Sequence, residues 1–259
     1  MDYKVLYRKY RPADFNHLVG QDSIKKILVN SIINDKIAHA YIFTGPRGTG
    51  KTSTAKIFAR ALNCLNPQNG ISCGECENCK NFNQSPDIIE LDAASNNSVD
   101  DIRNIVDSVN IAPTNSKYKI YIIDEVHMLS TSAWNAFLKT LEEPPHNVIF
   151  ILATTEIQKV PITVLSRCQR FDFQRIDKNE ITEHLKKICE EENIKSEDAA
   201  LTEIAFLSDG CMRDALSILD QLSKISEEIN IDVLKQNYGT ITDDDIEELY
   251  VSILHNNLD

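Results

Sequence analysis

A glycine-rich segment near residue 50 combines small residues with a lysine and a threonine. Residues 45–52 read Gly-Pro-Arg-Gly-Thr-Gly-Lys-Thr, a match to the pattern GxxxxGK[ST], and lie between a strand pattern and a helix pattern. Glycine lets backbone N–H groups turn inward around phosphate oxygens, and the helix N-terminus adds positive potential. This pattern predicts a nucleotide-binding loop, and the alternative is a glycine-rich turn that only joins a strand to a helix. The residues expected to line the nucleotide are Gly45, Pro46, Arg47, Gly48, Thr49, Gly50, Lys51, Thr52 and Ser53.

A pair of acids ends another apolar strand pattern, since residues 120–125 read Ile-Tyr-Ile-Ile-Asp-Glu. In enzymes with such a loop, the lysine reaches the β- and γ-phosphates, and the first acid joins the loop threonine in holding Mg²⁺. The second acid can polarise a water for attack on the γ-phosphate. We therefore predict catalytic roles for Lys51 and Glu125 and a magnesium site at Thr52 and Asp124. Alternatively, the two acids are solvated or cap the next helix.

Cysteines are clustered in one part of the chain. Four of the seven follow the spacing Cys64-x8-Cys73-x2-Cys76-x2-Cys79. Disulfides are rare in reducing compartments, so this spacing favours a tetrahedral Zn²⁺ site with Zn–S bonds of about 2.3 Å. The alternatives are a redox-active cysteine pair or four free thiols, and the sharing of Cys76 between two CxxC pairs favours a metal. Four protein ligands leave no open position for catalysis, so this zinc is expected to be structural.

Short apolar runs alternate with longer amphipathic segments, which is typical of βαβ units. The predicted strands are residues 40–44, 87–91, 119–124, 147–154 and 170–173. After residue 176 the strands stop, and the helix patterns are 177–192, 196–208, 211–225 and 231–238. The prediction is an α/β fold: a three-layer P-loop domain with a parallel five-stranded sheet and a four-cysteine zinc insertion, followed by a small all-helical domain.

Composition and charge are those of a soluble globular chain. The 259 residues carry 27 Lys+Arg and 39 Asp+Glu, a formal net charge of −12, which argues against coating of nucleic acid by bulk positive charge. The longest apolar run, residues 148–153, is far shorter than the roughly 20 residues needed to cross a bilayer. The first residues do not read as a signal peptide. We expect no membrane partner and a cytoplasmic location.

Five segments, in order along the chain, resemble one family, the AAA+ clamp-loader ATPases of bacteria, up to about residue 238. They read LYRKYRPADFNHLVGQ, HAYIFTGPRGTGKTSTAKIFARALNC, YIIDEVHMLSTSAWNAFLKTLEEPP, ILATTEIQKVPITVLSRCQRF and GCMRDALSILDQL. The resemblance implies an AAA+ nucleotide-binding domain over residues 1–176 with the zinc module at 64–79 inserted. It further implies a helical lid domain over 177–240, and the beginning of a truncated helical collar domain over 241–259.

The resemblance also implies roles for three residues outside the loop and the acid pair. Thr155 matches the sensor-1 position, which monitors the γ-phosphate. Arg167 matches the arginine finger, which acts on the nucleotide of a neighbouring subunit, and Arg213 matches the sensor-2 arginine carried by the lid. The alternatives are a helix cap for Thr155 and surface ion pairs for both arginines. The segment expected to pack around the adenine and ribose contains Arg8, Tyr10, Arg11, Pro12 and Val19, and its alternatives are contact with nucleic acid or simple docking on the domain.

The implied activity is ATP hydrolysis that loads a sliding clamp onto primed DNA, with ATP, Mg²⁺ and Zn²⁺ bound. The implied partners are other clamp-loader subunits in a hetero-oligomeric ring, the clamp, and primer–template DNA through the assembled loader. Arg103 and Lys159 could contact DNA phosphates, or be solvated surface charges. His127 and Trp134 are expected to have packing roles.

Two rival functions stay open on the sequence alone. The first is a non-hydrolysing structural subunit of the same assembly, against which the intact Lys51, Thr52, Asp124 and Glu125 count. The second is another AAA+ DNA motor, such as a branch-migration helicase, which the cysteine insertion and the Ser-Arg-Cys segment at 166–168 disfavour. We expect the chain to be a fragment. Because Arg167 needs a neighbour's nucleotide, we expect the isolated fragment to be monomeric and a poor ATPase.

Overall fold

The computed structural model of the protein describes residues 3–96 and 98–239. Packing divides them into two compact units, of which the first is Tyr10–Ile176 and the second contains residues 3–9 together with 177–239. The division at residue 176 lies where a domain boundary is expected. Residues 3–9, which we expected in the first domain, pack with the second instead. The expected collar segment, 241–259, lies outside the described residues.

The first unit is built on a five-stranded parallel sheet, as predicted. The strands are β1 (Ala40–Thr44), β2 (Ile88–Asp92), β3 (Lys119–Asp124), β4 (Val148–Thr154) and β5 (Gln169–Asp172). Their order across the sheet is β2-β3-β4-β1-β5. The central strands β1 and β4 are buried along their whole length, because helices cover both faces of the sheet.

Helices of the first unit pack on the two faces of the sheet and form two cores. They are α2 (Asp22–Ile33), α3 (Lys51–Leu62), α4 (Glu77–Lys80), α5 (Val99–Val109), α6 (Thr131–Glu142) and α7 (Ile162–Leu165), with 3-10 turns at Phe82–Gln84, Val126–Met128 and Ile157–Lys159. Tyr41 and Phe43 of β1 pack with Phe58 of α3 on one face, whereas Ile42 packs with Phe137 of α6 on the other. The alternation of side chains along β1 thus joins both layers of helices to the sheet.

The second unit is mainly helical, as predicted. Its elements are α1 (Leu6–Lys9), α8 (Lys178–Glu192), β6 (Lys195–Ser196), α9 (Asp198–Leu207), α10 (Met212–Ile225), β7 (Glu228–Ile229) and α11 (Ile231–Tyr238). The expectation that strands stop after residue 176 is wrong in one detail, because β6 and β7 pair in parallel. Two residues per strand are too few to give a periodic pattern in the sequence. No helix among the described residues is long and apolar enough to cross a bilayer.

A buried carboxylate explains why the N-terminal segment belongs to the second unit. Asp220 of α10 is 4% exposed and accepts hydrogen bonds from the hydroxyl of Tyr3 and from the backbone N–H of Leu6, the latter at 3.1 Å. Lys224 pairs with the same carboxylate at 2.7 Å. Leu6 is itself buried at 5% exposure. These contacts attach residues 3–6 to α10.

Candidate nucleotide site and cysteine cluster

The loop between β1 and α3 adopts backbone conformations that require glycine. Gly45 has φ +142°, and a Cβ atom there would lie 2.3 Å from the carbonyl oxygen of Phe173. Gly50 has φ +97°, and a Cβ atom there would meet Leu18 at 3.3 Å. Gly48 also has a positive φ, of 72°. The loop backbone is therefore closely packed from outside and turns in a manner that a side chain would prevent.

Lys51 begins α3 and is only 6% exposed. Its ammonium group donates hydrogen bonds to the carbonyl oxygens of Gly45 at 2.8 Å and of Pro46 at 2.7 Å. The hydroxyl of Thr49 also donates to Pro46, at 2.9 Å. Arg47 is exposed at the tip of the same loop, and Ser53 is half-buried on the first turn of α3. The positive charge of Lys51 is thus held within the loop.

The ends of α3 and β3 meet at Thr52 and Asp124. The Thr52 hydroxyl donates to Oδ2 of Asp124 at 2.6 Å, and Oδ1 of Asp124 accepts the backbone N–H of Glu125 at 3.0 Å. A hydroxyl and a carboxylate are hard oxygen donors of the kind that Mg²⁺ prefers, so these residues fit the predicted ion. The two predicted magnesium ligands therefore lie together.

Glu125 directly follows β3 in a left-handed backbone conformation, with φ 48° and ψ 44°. Its Oε2 atom accepts hydrogen bonds from the hydroxyl of Thr155 at 3.1 Å and from the backbone N–H of Thr155 at 3.3 Å. The Glu125 side chain is 33% exposed. The predicted general base and the predicted sensor threonine are consequently in direct contact, and the base still reaches solvent.

His127 lies beside these groups, although the sequence suggested only a packing role. Its Nδ1 atom is 3.0 Å from Oγ1 of Thr154 and 3.4 Å from Oε2 of Glu125, and its Nε2 atom is 3.4 Å from Oε1 of Glu156. The side chain is 7% exposed. Its position two residues after the acid pair was the only signal in the sequence.

The two predicted arginines have local partners. Arg167 follows α7 and donates to Oε1 of Glu142 at 2.6 Å and to the carbonyl oxygen of Thr163 at 2.5 Å. Arg213 lies in α10 of the second unit, with its guanidinium carbon 5.2 Å from the centre of the Tyr7 ring. That distance is a cation–π contact. Arg167 is thus in the first unit and Arg213 in the second.

Residues of the predicted adenine segment are divided between the two units. Arg8 is exposed in the second unit, with its guanidinium carbon 5.8 Å from the centre of the Tyr7 ring. In the first unit, Tyr10, Pro12 and Val19 are half-buried and Arg11 is exposed. Val19 follows Leu18, whose side chain packs beside Gly50 of the loop. The structure therefore brings Leu18, the sequence neighbour of Val19, to the end of the glycine-rich loop.

The four clustered cysteines converge after α3, where their sulfur atoms all lie within 4.8 Å of one another. A tetrahedron with Zn–S bonds of about 2.3 Å has S···S edges of about 3.8 Å, so the cluster fits the predicted ion. Backbone N–H groups of Cys73 and Cys76 donate to the sulfurs of Cys64 and Cys73, both at 3.3 Å. Burial raises the pKa of the Cys76 thiol, but N–H donors of Leu65 and Cys79 outweigh it and lower that pKa to about 6. The thiolate form that binds metals is thus favoured at Cys76.

The cysteine cluster is joined to the sheet by amide side chains. Asn78 of α4 donates to the carbonyl oxygens of Asn63 at 2.9 Å and Asn115 at 3.3 Å. Asn63 in turn donates to the carbonyl oxygen of Tyr118 and accepts its N–H, each at 2.9 Å. The cysteine cluster and these amide side chains therefore fasten the end of α3 to the segment that precedes β3.

Of three remaining residues from the sequence analysis, two form surface ion pairs and one lies in the core. Arg103 pairs with Asp100 at 3.2 Å and Lys159 with Glu156 at 2.8 Å, and both cations are more than half exposed. Trp134 of α6 is 3% exposed and belongs to the core on that face of the sheet. The packing role expected for Trp134 agrees with this position.

Two family descriptions match the chain. "DNA polymerase III, delta subunit" matches residues 20–177, and "DNA polymerase III clamp loader subunit, ATPase lid domain" matches residues 180–226. Subunit tau of DNA polymerase III from Bacillus subtilis is 50% identical over all of this chain and 46% of its own length. Subunit gamma/tau from Mycoplasma genitalium is 51% identical over 92% of this chain and 41% of its own length. Subunit gamma from Buchnera aphidicola is 39% identical over all of this chain and 70% of its own length. The chain thus spans less than half of the first two relatives.

Among solved structures, the Holliday junction branch migration motor RuvB of Thermotoga maritima superposes with a TM-score of 0.65. The match covers 88% of this chain and 71% of RuvB at 21% identity. At that identity the likeness concerns the fold alone.

Proposed function

The chain belongs to the DNA polymerase III clamp-loader subunit family, and from this premise we propose that it is an ATPase motor subunit that loads a sliding clamp onto primed DNA. The single observation that carries the proposal is the continuous set of contacts that joins the P-loop to the predicted base. Thr52, the sequence neighbour of Lys51, contacts Asp124. Asp124 accepts the backbone N–H of Glu125, whose carboxylate contacts Thr155. A subunit that only holds the assembly together has no need of this arrangement.

The P-loop is the proposed site of the triphosphate. Backbone N–H groups of Gly45 and residues 47–50, together with the N-terminus of α3, supply positive potential for phosphate oxygens. Lys51 now donates to two carbonyl oxygens of the loop, so its ammonium group is already at the site that a β- or γ-phosphate oxygen would share. Val19 and the neighbouring residues of its segment are proposed to contact the adenine.

Thr52 and Asp124 are the proposed ligands of Mg²⁺. When bound, Mg²⁺ neutralises charge that develops on the phosphate oxygens. The hydroxyl of Thr52 and the carboxylate of Asp124 share a hydrogen bond of 2.6 Å, so the two side chains are already oriented toward one another.

Glu125 is the proposed general base. It would accept a proton from the attacking water while that water's oxygen bonds to the γ-phosphorus. The bond from this phosphorus to the bridging oxygen of the β-phosphate breaks, which leaves ADP and inorganic phosphate. Thr155 holds Oε2 of Glu125 through two donors, which fixes the direction of the carboxylate.

Arg167 of the first unit and Arg213 of the second unit are both proposed to act on nucleotide phosphates. A permanently charged, planar guanidinium suits the dispersed negative charge of phosphoryl transfer. Arg167 would act on the nucleotide of a neighbouring subunit, after exchanging Glu142 for a phosphate group. Arg213 would act from the lid of the same chain.

The cysteine cluster is proposed to hold a structural Zn²⁺ through all four thiolates, which would cross-link the end of α3 with α4. The proposed partners are other clamp-loader subunits in a hetero-oligomeric ring, the clamp, and primer–template DNA through the assembled loader. The proposed compartment is the cytoplasm.

The proposal is tested with the full-length protein, its partner subunits, clamp and primed DNA. Glu125→Gln should retain ATP binding and lose nearly all turnover, because an amide cannot accept the proton. Lys51→Ala should lose both. Wild-type protein that binds ATP but does not hydrolyse it in this mixture would favour the structural-subunit alternative. Equal turnover of wild type and Glu125→Gln would refute the assigned base.

A further inference from the structure

His127 is a nearly buried, titratable side chain that the proposed mechanism does not use. It lies on the 3-10 turn Val126–Met128 that follows β3, and its side chain is 7% exposed. Charged groups face it on both sides, with Glu125 near Nδ1 and Glu156 near Nε2, each at 3.4 Å. Lys159 pairs with the same oxygen of Glu156 at 2.8 Å. Each ring nitrogen of His127 thus lies near a carboxylate oxygen.

The contact with Thr154 connects the ring to the last residue of β4. Oγ1 of Thr154 accepts the backbone N–H of Glu156 at 3.0 Å and lies 3.0 Å from Nδ1 of His127. The hydrogen bond joins Nδ1 to the Thr154 hydroxyl, and its donor depends on the tautomer of the ring. The ring thus joins the turn after β3 to the end of β4.

The residue that follows this contact in the chain is Thr155. Thr155 directly follows Thr154, and its hydroxyl and N–H are the donors to Oε2 of Glu125. Nδ1 of His127 lies beside the same oxygen. The ring thus touches the Glu125 carboxylate. It also contacts Thr154, which directly precedes the Thr155 that orients this carboxylate.

We propose that His127 is a positioning residue for ATP hydrolysis, which holds the end of β4 against Glu125 so that Thr155 keeps the carboxylate in its working direction. The inference rests on the proposed function of Glu125 as the base. It concerns turnover and not nucleotide binding, because the partners of His127 are Glu125, Thr154 and Glu156 and not the P-loop.

The test measures kcat and KM for ATP in the full-length protein assembled with its partner subunits, clamp and primed DNA. His127→Ala should lower kcat by at least about tenfold, because small misplacements of a catalytic group cost up to about a hundredfold. KM should stay within about twofold of the wild type. His127→Asn places an amide near the Nδ1 position and should recover most of kcat. His127→Gln, whose amide reaches toward the Nε2 position, should recover less.

The outcomes separate this inference from the proposed function. An unchanged kcat in His127→Ala overturns the inference and leaves the ATPase assignment in place. So does a His127→Asn variant that is as slow as His127→Ala while melting at the wild-type temperature. If His127→Ala does not fold, the kcat values of the two amide variants are compared. A higher kcat in His127→Asn than in His127→Gln supports the inference, and the reverse order overturns it. An absence of turnover in the wild type overturns the proposed function itself, and the inference with it.

Discussion

The hydroxyl of Thr52 and the carboxylate of Asp124 form a 2.6 Å hydrogen bond across 72 residues of sequence. Thr52 lies in the first turn of α3, and Asp124 ends β3. α3 directly follows β1, so Thr52 lies just beyond the carboxyl end of that strand. In the parallel strand order β3-β4-β1, the carboxyl ends of β1 and β3 lie at the same edge of the sheet. The proposed metal site is therefore a product of sheet topology.

Removal of the Thr52 hydroxyl should weaken binding of ATP only when magnesium is present. Thr52→Ala should lower the affinity for ATP by about tenfold or more in Mg²⁺, because the ion loses one of its proposed protein ligands. Titration with a fluorescent ATP analogue, in Mg²⁺ and in EDTA, measures the effect. Thr52→Ser keeps the hydroxyl and should bind like the wild type. An equal loss for Thr52→Ala in EDTA would show that Thr52 acts through packing alone.

Gly45→Ala should destabilise the first unit through a clash at the loop. The new Cβ would lie 2.3 Å from the carbonyl oxygen of Phe173, in addition to the strain of a positive φ. Strain alone costs about 1–3 kcal/mol, so a larger loss is expected here. Gly239→Ala is the matched control, because Gly239 has φ +62° and nothing within 4 Å of the added atom. Thermal unfolding of both variants gives the comparison, and equal losses would contradict the clash.

Loss of one clustered cysteine should remove the proposed zinc. Wild-type protein should contain about one zinc ion per chain, and Cys79→Ser should contain little. Its melting temperature should also fall, since the module fastens the end of α3 to the segment before β3. Cys189→Ser changes a buried cysteine outside the cluster and should keep its zinc. Elemental analysis measures the zinc content of each protein. Wild-type protein that contains no zinc and melts at the same temperature as Cys79→Ser would refute the structural metal.

Asp87 should make stability fall at acid pH. It is 2% exposed; burial opposes its ionisation, but the N–H groups of Thr114, Asn115 and Ser116 outweigh this and hold the pKa of Asp87 below its ordinary value. A lowered folded pKa contributes stability above the unfolded pKa of about 4, and that contribution is lost as pH falls through the folded pKa. Asp87→Asn should therefore cost about 1–3 kcal/mol at pH 7 and progressively less below about pH 4.

Urea unfolding at several pH values measures this difference. Asp35→Asn is the control, because Asp35 is exposed and forms only a surface pair with Lys117. Its effect should be below about 1 kcal/mol at every pH. A cost of Asp87→Asn that does not change between pH 7 and pH 3 would contradict the role of the charge.

The sequence predicts the sheet well because its strands are short apolar runs with clear ends. Residues 40–44 and 119–124 are strands with the predicted bounds, and the strand predicted at 87–91 is shifted by one residue to Ile88–Asp92. The P-loop is equally local, since its glycines, lysine and threonine are contiguous. Such features depend on neighbouring residues, and a single sequence contains them in full.

Contacts between distant residues could not be predicted in the same way. Tyr3 and Asp220 are separated by 217 positions, so nothing local assigns the N-terminal segment to the second unit. The partners of His127 lie on β4 and just beyond it, and they depend on how β3 and β4 are paired. The family resemblance singled out Thr155, but its contact with Glu125 is seen only in the structure. In each case the missing information is the fold itself.

The most direct test of the account is the ATP turnover of the full-length protein with its partner subunits, clamp and primed DNA, compared between wild type and Arg167→Ala in assemblies of equal yield. We expect turnover to fall by at least about a hundredfold, a bound set below the roughly 10³- to 10⁵-fold that trans-acting arginines contribute. Arg170→Ala is the control, because Arg170 is a half-exposed arginine that pairs with Asp172 at 2.7 Å, and it should hydrolyse ATP like the wild type. Unchanged turnover in Arg167→Ala would contradict a motor that acts between subunits and would favour a self-contained P-loop switch.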